Sequence, residues 1–356
     1  MPVGHSHPQG RLEDIARALA AAALFGASTP LARVLAGRVH PVMLAALLYL
    51  GSGAGLGVVA LARRGRSREA AITRADLPWL AGVVLAGGVL GPVLLMAAVR
   101  TTPATTASLL LNLEGVFTAA LAWAVFRENV DRRVALGMAA IVAGGALLAW
   151  QGGALHTGGT GPLLVVGACA CWALDNNLTQ KLSARDPVHI AAVKGAVAGT
   201  VNLAAAVALG APRPGLGPLA GTMAVGMVGY GASLVLFVGA LRSLGAARTG
   251  AYFAAAPFVG AALSVVFLHE ALGPWTLGAA GLMAVGVALH VSERHTHPHE
   301  HSALAHEHRH AHDAHHQHAH PPGLDPSEPH SHAHAHEGLA HEHPHDPDLH
   351  HRHGHG

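Results

Sequence analysis

The sequence predicts an all-α polytopic membrane protein: ten transmembrane helices as two inverted five-helix repeats, followed by a disordered tail. Three observations predict it, namely a composition poor in charge, a count of long apolar runs, and an internal repeat. Of 356 residues, 51% are apolar and 12% charged, about half the charged share of a soluble domain. The 44 glycines and 4% aromatics suit helices that approach closely in lipid better than a large water-soluble core. Thirty histidines look out of place, but 23 of the 30 fall in residues 293–356, after the apolar part has ended. A formal net charge of +2 argues against a nucleic-acid partner, which needs a clustered basic face. The only two cysteines, Cys169 and Cys171, share an apolar run. They cannot make a disulfide scaffold and read as small membrane residues.

Crossing about 30 Å of hydrocarbon takes about 20 mostly apolar residues. Ten stretches qualify: 14–36, 41–62, 77–99, 103–126, 134–151, 161–181, 188–209, 219–241, 246–268 and 273–292. Short breaks with turn chemistry separate them, such as GRVHP at 37–41 and GAPRPGLGP at 210–218. The polar residues before the first span do not read as a cleavable signal peptide. The domains expected are a cytoplasmic N-terminus (1–13), a first repeat (14–151), a second repeat (161–292) and a cytoplasmic tail (293–356).

Orientation follows from basic residues in alternate loops. One set holds Arg11, Arg17, Arg63, Arg64, Arg66, Arg68, Arg74, Arg127, Arg132, Arg133, Lys181, Arg185, Arg242 and Arg248; the other holds Arg33, Arg38, Arg100 and Arg213. The asymmetry puts the N-terminus in the cytoplasm of an inner or plasma membrane. An even number of spans puts the tail there too.

The two halves repeat each other. AAVRTTPATTASLLLNLEGVFTAALAWAVFRE (97–128) lies over GALRSLGAARTGAYFAAAPFVGAALSVVFLHE (239–270), with Arg100 on Arg242 and Glu128 on Glu270, an offset of 142. Gly144 and Gly286 share that offset, while HPVMLAAL (40–47) matches DPVHIAAV (186–193) with Pro41 on Pro187, an offset of 146. Five spans per half is odd, so the second half enters the membrane from the opposite side, the plan of many secondary transporters.

A small-residue helix, then VF…E, a short loop and a helix with spaced glycines resembles the EamA domain. Two such domains resemble the drug/metabolite transporter superfamily, over residues 14–292. The resemblance implies a pseudosymmetric ten-helix bundle in which spans 1, 3, 4, 6, 8 and 9 line a cavity, with spans 5 and 10 peripheral. Where the second copy has Pro257 the first has Gly115, so a softer bend is expected in the fourth span.

Ionisable residues near the bilayer centre cost a few kcal/mol on insertion scales and are candidates for function. Glu114 lies mid-span, two residues after Asn112. Asp175 lies near the inner end of the sixth span beside Asn176 and Asn177, and Lys194 lies at matching depth in the seventh. At 1.5 Å per residue both charges fall about 9–10 Å from the inner boundary, which predicts an Asp175–Lys194 ion pair, either a structural latch or part of the solute path. Glu114 is either a hydrogen-bonded carboxyl of the bundle or a site for proton coupling or for an amine or cation. Asn202, Asn176 and Asn177 read as interhelical hydrogen-bonders or as solute contacts, and with Asn112, Glu114, Asp175 and Lys194 they form the candidate substrate or coupling-ion set. Glu128 and Glu270, at span ends, read as caps or loop ion pairs.

The tail, rich in His, Pro, Ala and acids, cannot bury a core. Its alternating imidazoles suit Zn²⁺, Ni²⁺, Co²⁺ or Cu²⁺. The candidate ligands are His295, His297, His299, His301, His306, His308, His310, His312, His315, His316, His318, His320, His332, His334 and His336. Ten acids against three arginines give the tail a charge near −7 without histidine, so protonation near pH 6 could instead swing it toward an anionic leaflet.

The leading reading is a secondary transporter for a metabolite, amino acid or drug, working by alternating access and needing no cofactor. The alternative cargo is a divalent metal, with the tail as collector. From another class, the chain could be a non-transporting metal- or pH-sensing scaffold. No nucleophile–base pair or phosphate-binding loop points to an enzyme. Its partners would be the bilayer and the solute, and the sequence allows a homodimer through peripheral glycine-rich helices such as 134–151.

Overall fold

The computed structural model describes residues 8–63, 72–126, 132–150, 160–182, 185–244, 246–291, 295–301, 304–310, 330–336 and 339–345. To residue 291 the described chain is helical. The apolar runs become α1 (Pro8–Ala36), α2 (Pro41–Ala62), α3 (Leu77–Val83, Val84–Leu90 and Gly91–Ala98 in succession) and α4 (Ala104–Leu110 then Leu113–Phe126). There follow α5 (Arg132–Trp150), α6 (Gly161–Thr179), α7 (Pro187–Ala208) and α8 (Leu216–Val225, Gly226–Ala232 and Ser233–Leu244). Last come α9 (Ala246–Phe253 then Ala256–Leu268) and α10 (Pro274–Val291). Six of these segments, Leu12–Ala36, Pro41–Ala62, Arg74–Ala98, Ala104–Val125, Pro187–Ala208 and Leu216–Ala240, are long and apolar enough to cross a bilayer, and shorter apolar helices accompany them. The chain is a multi-pass membrane protein.

The main helix pairings repeat when the two halves are exchanged. Helix α1 packs on α8 and α9, as α6 packs on α3 and α4; α2 packs on α7, and α5 on α10. Missing side chains set the closest approaches, as expected where helices associate by van der Waals packing. A Cβ built on Gly53 would lie 2.5 Å from the backbone N of Ala196, and one on Gly199 2.7 Å from the backbone N of Leu50. Both 53 to 199 and 50 to 196 are offsets of 146, so the α2–α7 crossing is two-fold symmetric residue by residue. Gly144 against Met283 and Gly286 against Ile141 repeat this at the α5–α10 crossing with an offset of 142.

Two departures from α geometry also repeat. Val84–Leu90 in α3 and Gly226–Ala232 in α8 are π-helical turns, 142 residues apart at both ends. Helices α4 and α9 each break mid-way, at 111–112 and 254–255. Pro257 begins the second part of α9. Without that proline α4 also breaks. There Leu111, Asn112 and Glu114 donate backbone N–H bonds three residues back, and the Asn112 amide caps the carbonyl of Leu109 at 2.8 Å. Side-chain competition for the backbone does what proline does in the other half. Helix α1 runs unbroken through Pro30.

Four segments of the tail are described. Strands β1 (His295–His301) and β4 (Leu339–His345) pair antiparallel, as do β2 (Leu304–His310) and β3 (His330–His336). Strict alternation of histidine is a period of two, which is that of a strand. His312, His315, His316, His318 and His320 lie outside the described residues.

Replacing Gly199 by Leu should force α2 and α7 apart and lower stability by about 1–3 kcal/mol. Thermal unfolding of the detergent-solubilised protein checks this, with Gly57→Leu, at a position open on its own side, expected to unfold as the wild type does.

Candidate functional site

The polar groups of the apolar interior collect where α3, α4, α6 and α7 meet. Asp175 of α6 and Lys194 of α7 form the ion pair expected from their shared depth, and Thr179, one turn on, donates to the same carboxylate at 3.3 Å. The carboxylate lies on the backbone of Gly87, where any Cβ would strike it.

Gly87 belongs to the α3 π-turn, and a π-turn leaves carbonyls poorly matched to the helix's own N–H groups. Side chains of other helices complete the match. The Gly87 carbonyl accepts from the Tyr49 hydroxyl of α2 at 2.6 Å and from the Trp172 indole of α6 at 3.0 Å. The Gly88 carbonyl accepts from the Asn202 amide of α7 at 3.1 Å. Three helices therefore hold one turn of a fourth, and the Asp175–Lys194 pair rests on it.

Glu114 stands one helix away. Its carboxylate accepts from Asn176 at 2.8 Å, and the Asn176 amide is 3.4 Å from the Thr118 hydroxyl. Asn177 turns inward, donating to the carbonyls of Thr118 and Ala173 at 3.2 and 2.9 Å. Asp175 and Asn177 are buried while Asn176 is exposed, so α6 offers one amide of its acidic cluster to open space beside Glu114. Asn112 does not join: beyond Leu109, its amide reaches Met283 of α10 at 3.9 Å. Two residues apart, Asn112 and Glu114 do not share a helix face.

Opposite lies a row of rings. Phe237 meets Phe253 at a centroid distance of 4.9 Å, Phe253 meets Phe25 at 5.4 Å, Phe25 meets Tyr230 at 5.7 Å, and Tyr230 meets Tyr49 at 5.7 Å. The row runs across α8, α9, α1 and α2 with all five rings short of exposed.

Two further clamps lie at one end of the bundle, the first between the halves and the second within the first half. Glu270, after α9, accepts from the N–H groups of Ala104 and Thr105 at 2.7 and 2.8 Å, capping α4 of the other half. Arg33 of α1 donates to the carbonyls of Val99 and Arg100, where α3 ends. Both line a cleft of about 350 Å³ with Thr105, Thr106 and Trp275. At the other end Arg185 bonds Asp76 at 2.9 Å. Glu128, the repeat counterpart of Glu270, lies outside the described residues.

The sequence reading missed Tyr49, Gly87, Gly88 and Arg33 as working residues. The glycine pair in AGGVLGP (86–92) was the available signal for the π-turn. Among the described residues no group of three or more His, Cys, Asp or Glu could hold a metal ion; the tail's side chains are not among those described.

The profile of the EamA-like transporter family matches the chain twice, over residues 15–150 and 159–292. A protein of Methanothermobacter thermautotrophicus named an uncharacterized transporter is 31% identical over 269 residues, 71% of this chain and 78% of the relative. A crystal structure titled only as that of a protein superposes with a TM-score of 0.57 at 19% identity, over 79% of this chain and 97% of the other. That likeness is one of fold.

Asp175→Asn should leave Lys194 without its counter-charge and cost about 3 kcal/mol, whereas Asp175→Asn combined with Lys194→Met should recover most of the loss. Unfolding of the two variants in one detergent gives the comparison. Glu270→Ala should cost about 1–2 kcal/mol through the lost cap, with Glu270→Gln intermediate in the same assay.

Proposed function

The chain belongs to the EamA-like transporter family, and on that premise we propose that it is a secondary transporter moving a small organic solute by alternating access. In this reading all ten helices cross the membrane as two inverted repeats, with both termini cytoplasmic. The solute and its coupling ion use the cluster of Glu114, Asn176, Asp175 and Lys194. The observation that carries the reading is the pairing of Glu114 with Asn176 beside, but separate from, the Asp175–Lys194 pair. Charges are kept in a membrane interior at a cost and accordingly mark pathways.

The division of labour follows from the partners each group already has. Asp175 is committed to Lys194, Thr179 and the face of Gly87, so it holds α3, α6 and α7 in register. Among the described residues the Glu114 carboxylate has one hydrogen-bond donor, the exposed Asn176 amide, so it is the acid free to take a proton, an amine or a cation. The five-ring row gives a solute's apolar part a wall to lie on. These features favour a metabolite, amino acid or drug that carries an amine.

A second reading makes the cargo Zn²⁺, Ni²⁺ or Co²⁺, gathered by the tail. The strand register favours it, setting His295 opposite His345, His297 opposite His343, His306 opposite His334 and His308 opposite His332. Imidazoles are ligands of these borderline metals.

Flux into proteoliposomes separates the readings. An amino-acid and amine panel is run beside Zn²⁺, Ni²⁺ and Co²⁺, for the full chain and for a chain ending at Ser292. Organic flux that survives the truncation and falls about tenfold or more in Glu114→Gln supports the first reading. Metal flux that drops on truncation, with no organic flux, overturns it in favour of the second.

A further inference from the structure

The two π-turns occupy equivalent places in the repeat, Val84–Leu90 and Gly226–Ala232, yet are held in opposite ways. In α3, the Gly87 and Gly88 carbonyls accept three hydrogen bonds from α2, α6 and α7, and the Asp175–Lys194 pair sits on the same turn. In α8, among the described residues, no side-chain donor reaches the equivalent carbonyls of Gly229 and Tyr230. The neighbours are neutral as well. Gly229 packs on Ser28 of α1, where a Cβ would lie 2.9 Å from the serine Cβ, and Gly226 packs on the backbone of Leu48. The contacts of this turn with α1 and α2 include the ring pairs Tyr230–Phe25 and Tyr230–Tyr49.

We propose that the α8 π-turn, Gly226–Ala232, is the hinge of the transport cycle, and that the α3 π-turn is its immobilised counterpart, with Asn202, Tyr49 and Trp172 as the positioning residues that lock it. The inference rests on the transporter reading and deepens it, because it assigns the motion to one half of a bundle whose contacts are otherwise symmetric. The physics lies in the kind of contact. A π-turn carries an extra residue that can pass along a helix if the carbonyls along the way exchange partners. In α3 that exchange would break three directional bonds between helices, in surroundings without water to replace them. In α8, among the described residues, the carbonyls of the turn carry no such bonds; the polar ties there run from side chains, Ser233 just past the turn donating to the Ala21 carbonyl of α1 at 2.8 Å. The rings of Phe25, Tyr49 and Tyr230 therefore slide over one another, and the glycine-to-backbone contact of Gly226 on Leu48 serves as the pivot. Helix α8 would carry Phe237 with it, and with Phe237 the ring contact to Phe253 of α9, opening and closing the aromatic side of the site while the ionic side stays still.

The repeat supplies the test. The residue of α2 equivalent to Asn202, at the offset of 146, is Leu56, buried in a cluster with Val188 and Ala192 of α7 against which Leu234 and Val235 of α8 pack. Leu56→Asn therefore places an amide where α8 lacks a clamp, and Asn202→Leu removes one from α3. Backbone hydrogen exchange of 84–90 and 226–232 is read in nanodiscs without solute for the wild type and both variants, each segment against itself. Asn202→Leu should speed exchange of 84–90 about fivefold or more and leave 226–232 unchanged; Leu56→Asn should slow 226–232 by a similar factor. In proteoliposomes, Leu56→Asn should lower solute exchange about tenfold with binding kept within about threefold, and Asn202→Leu should retain at least half the rate.

The hinge is overturned if Leu56→Asn slows exchange of 226–232 yet transports at the wild-type rate, or if releasing Asn202 leaves 84–90 unchanged. Should Leu56→Asn fail to fold, deleting Val228 to restore α geometry is the replacement, with transport retained again overturning the hinge. Expected exchange behaviour together with no flux of any solute in the wild type counts against the transporter reading, since the exchange measurement needs no solute.

Discussion

A backbone carbonyl or amide in hydrocarbon must find its partner within the protein, and the architecture of this chain follows from where that demand is hard to meet. Straight α-helix meets it locally. Three of the places where the chain leaves or enters α geometry take help from side chains, and there the polar residues of the interior gather; the α8 π-turn is an exception. The α3 π-turn recruits Tyr49, Trp172 and Asn202. The break in α4 recruits Asn112, and the start of α4 recruits Glu270 from the opposite half. The polar inventory thus divides into groups that repair backbone and groups left over, and Glu114 with Asn176 are left over.

The same demand explains why the repeat is so exact in its backbone and so loose in its side chains. Close helix approaches at Gly53, Gly199, Gly144 and Gly286 fix where the axes cross, and they recur at constant offsets. A substitution there moves two helices. Side chains around the π-turns carry no such constraint, provided the carbonyls are answered. One half could thus gain an ion pair at a turn where the other half has a serine and the backbone of a leucine. Symmetry of packing and asymmetry of charge coexist because they are enforced by different interactions.

The helices were legible in the sequence because twenty apolar residues admit few alternatives, and the repeat because its glycines and its VF…E ending survive in both copies. The Asp175–Lys194 pair was legible from depth alone, since two short-looped helices bring equal depths together. Asn112 was grouped with Glu114 by closeness in sequence, although residues two apart do not share a helix face, and its amide reaches Met283 instead. The π-turns left almost no trace: one inserted residue in an all-apolar run shifts no visible periodicity. Arg33 was counted as a loop charge, because nothing in the sequence shows that it reaches back to carbonyls at the end of α3.

Charge in this interior has two uses that the structure keeps apart in space. A carboxylate with a cation, a hydroxyl and a backbone surface around it, like Asp175, gains its stability from staying in place, and any solute that displaced Lys194 would have to replace the whole set. A carboxylate like Glu114, held by one amide that is itself exposed, loses little by exchanging that partner for another donor. If transport requires a group that is costly to bury and cheap to re-pair, Glu114 satisfies both conditions and Asp175 only the first. The ionic pair is then better understood as the fixed wall against which the aromatic side moves, and the two acids, equally conspicuous in the sequence, separate by the number of partners each would have to give up.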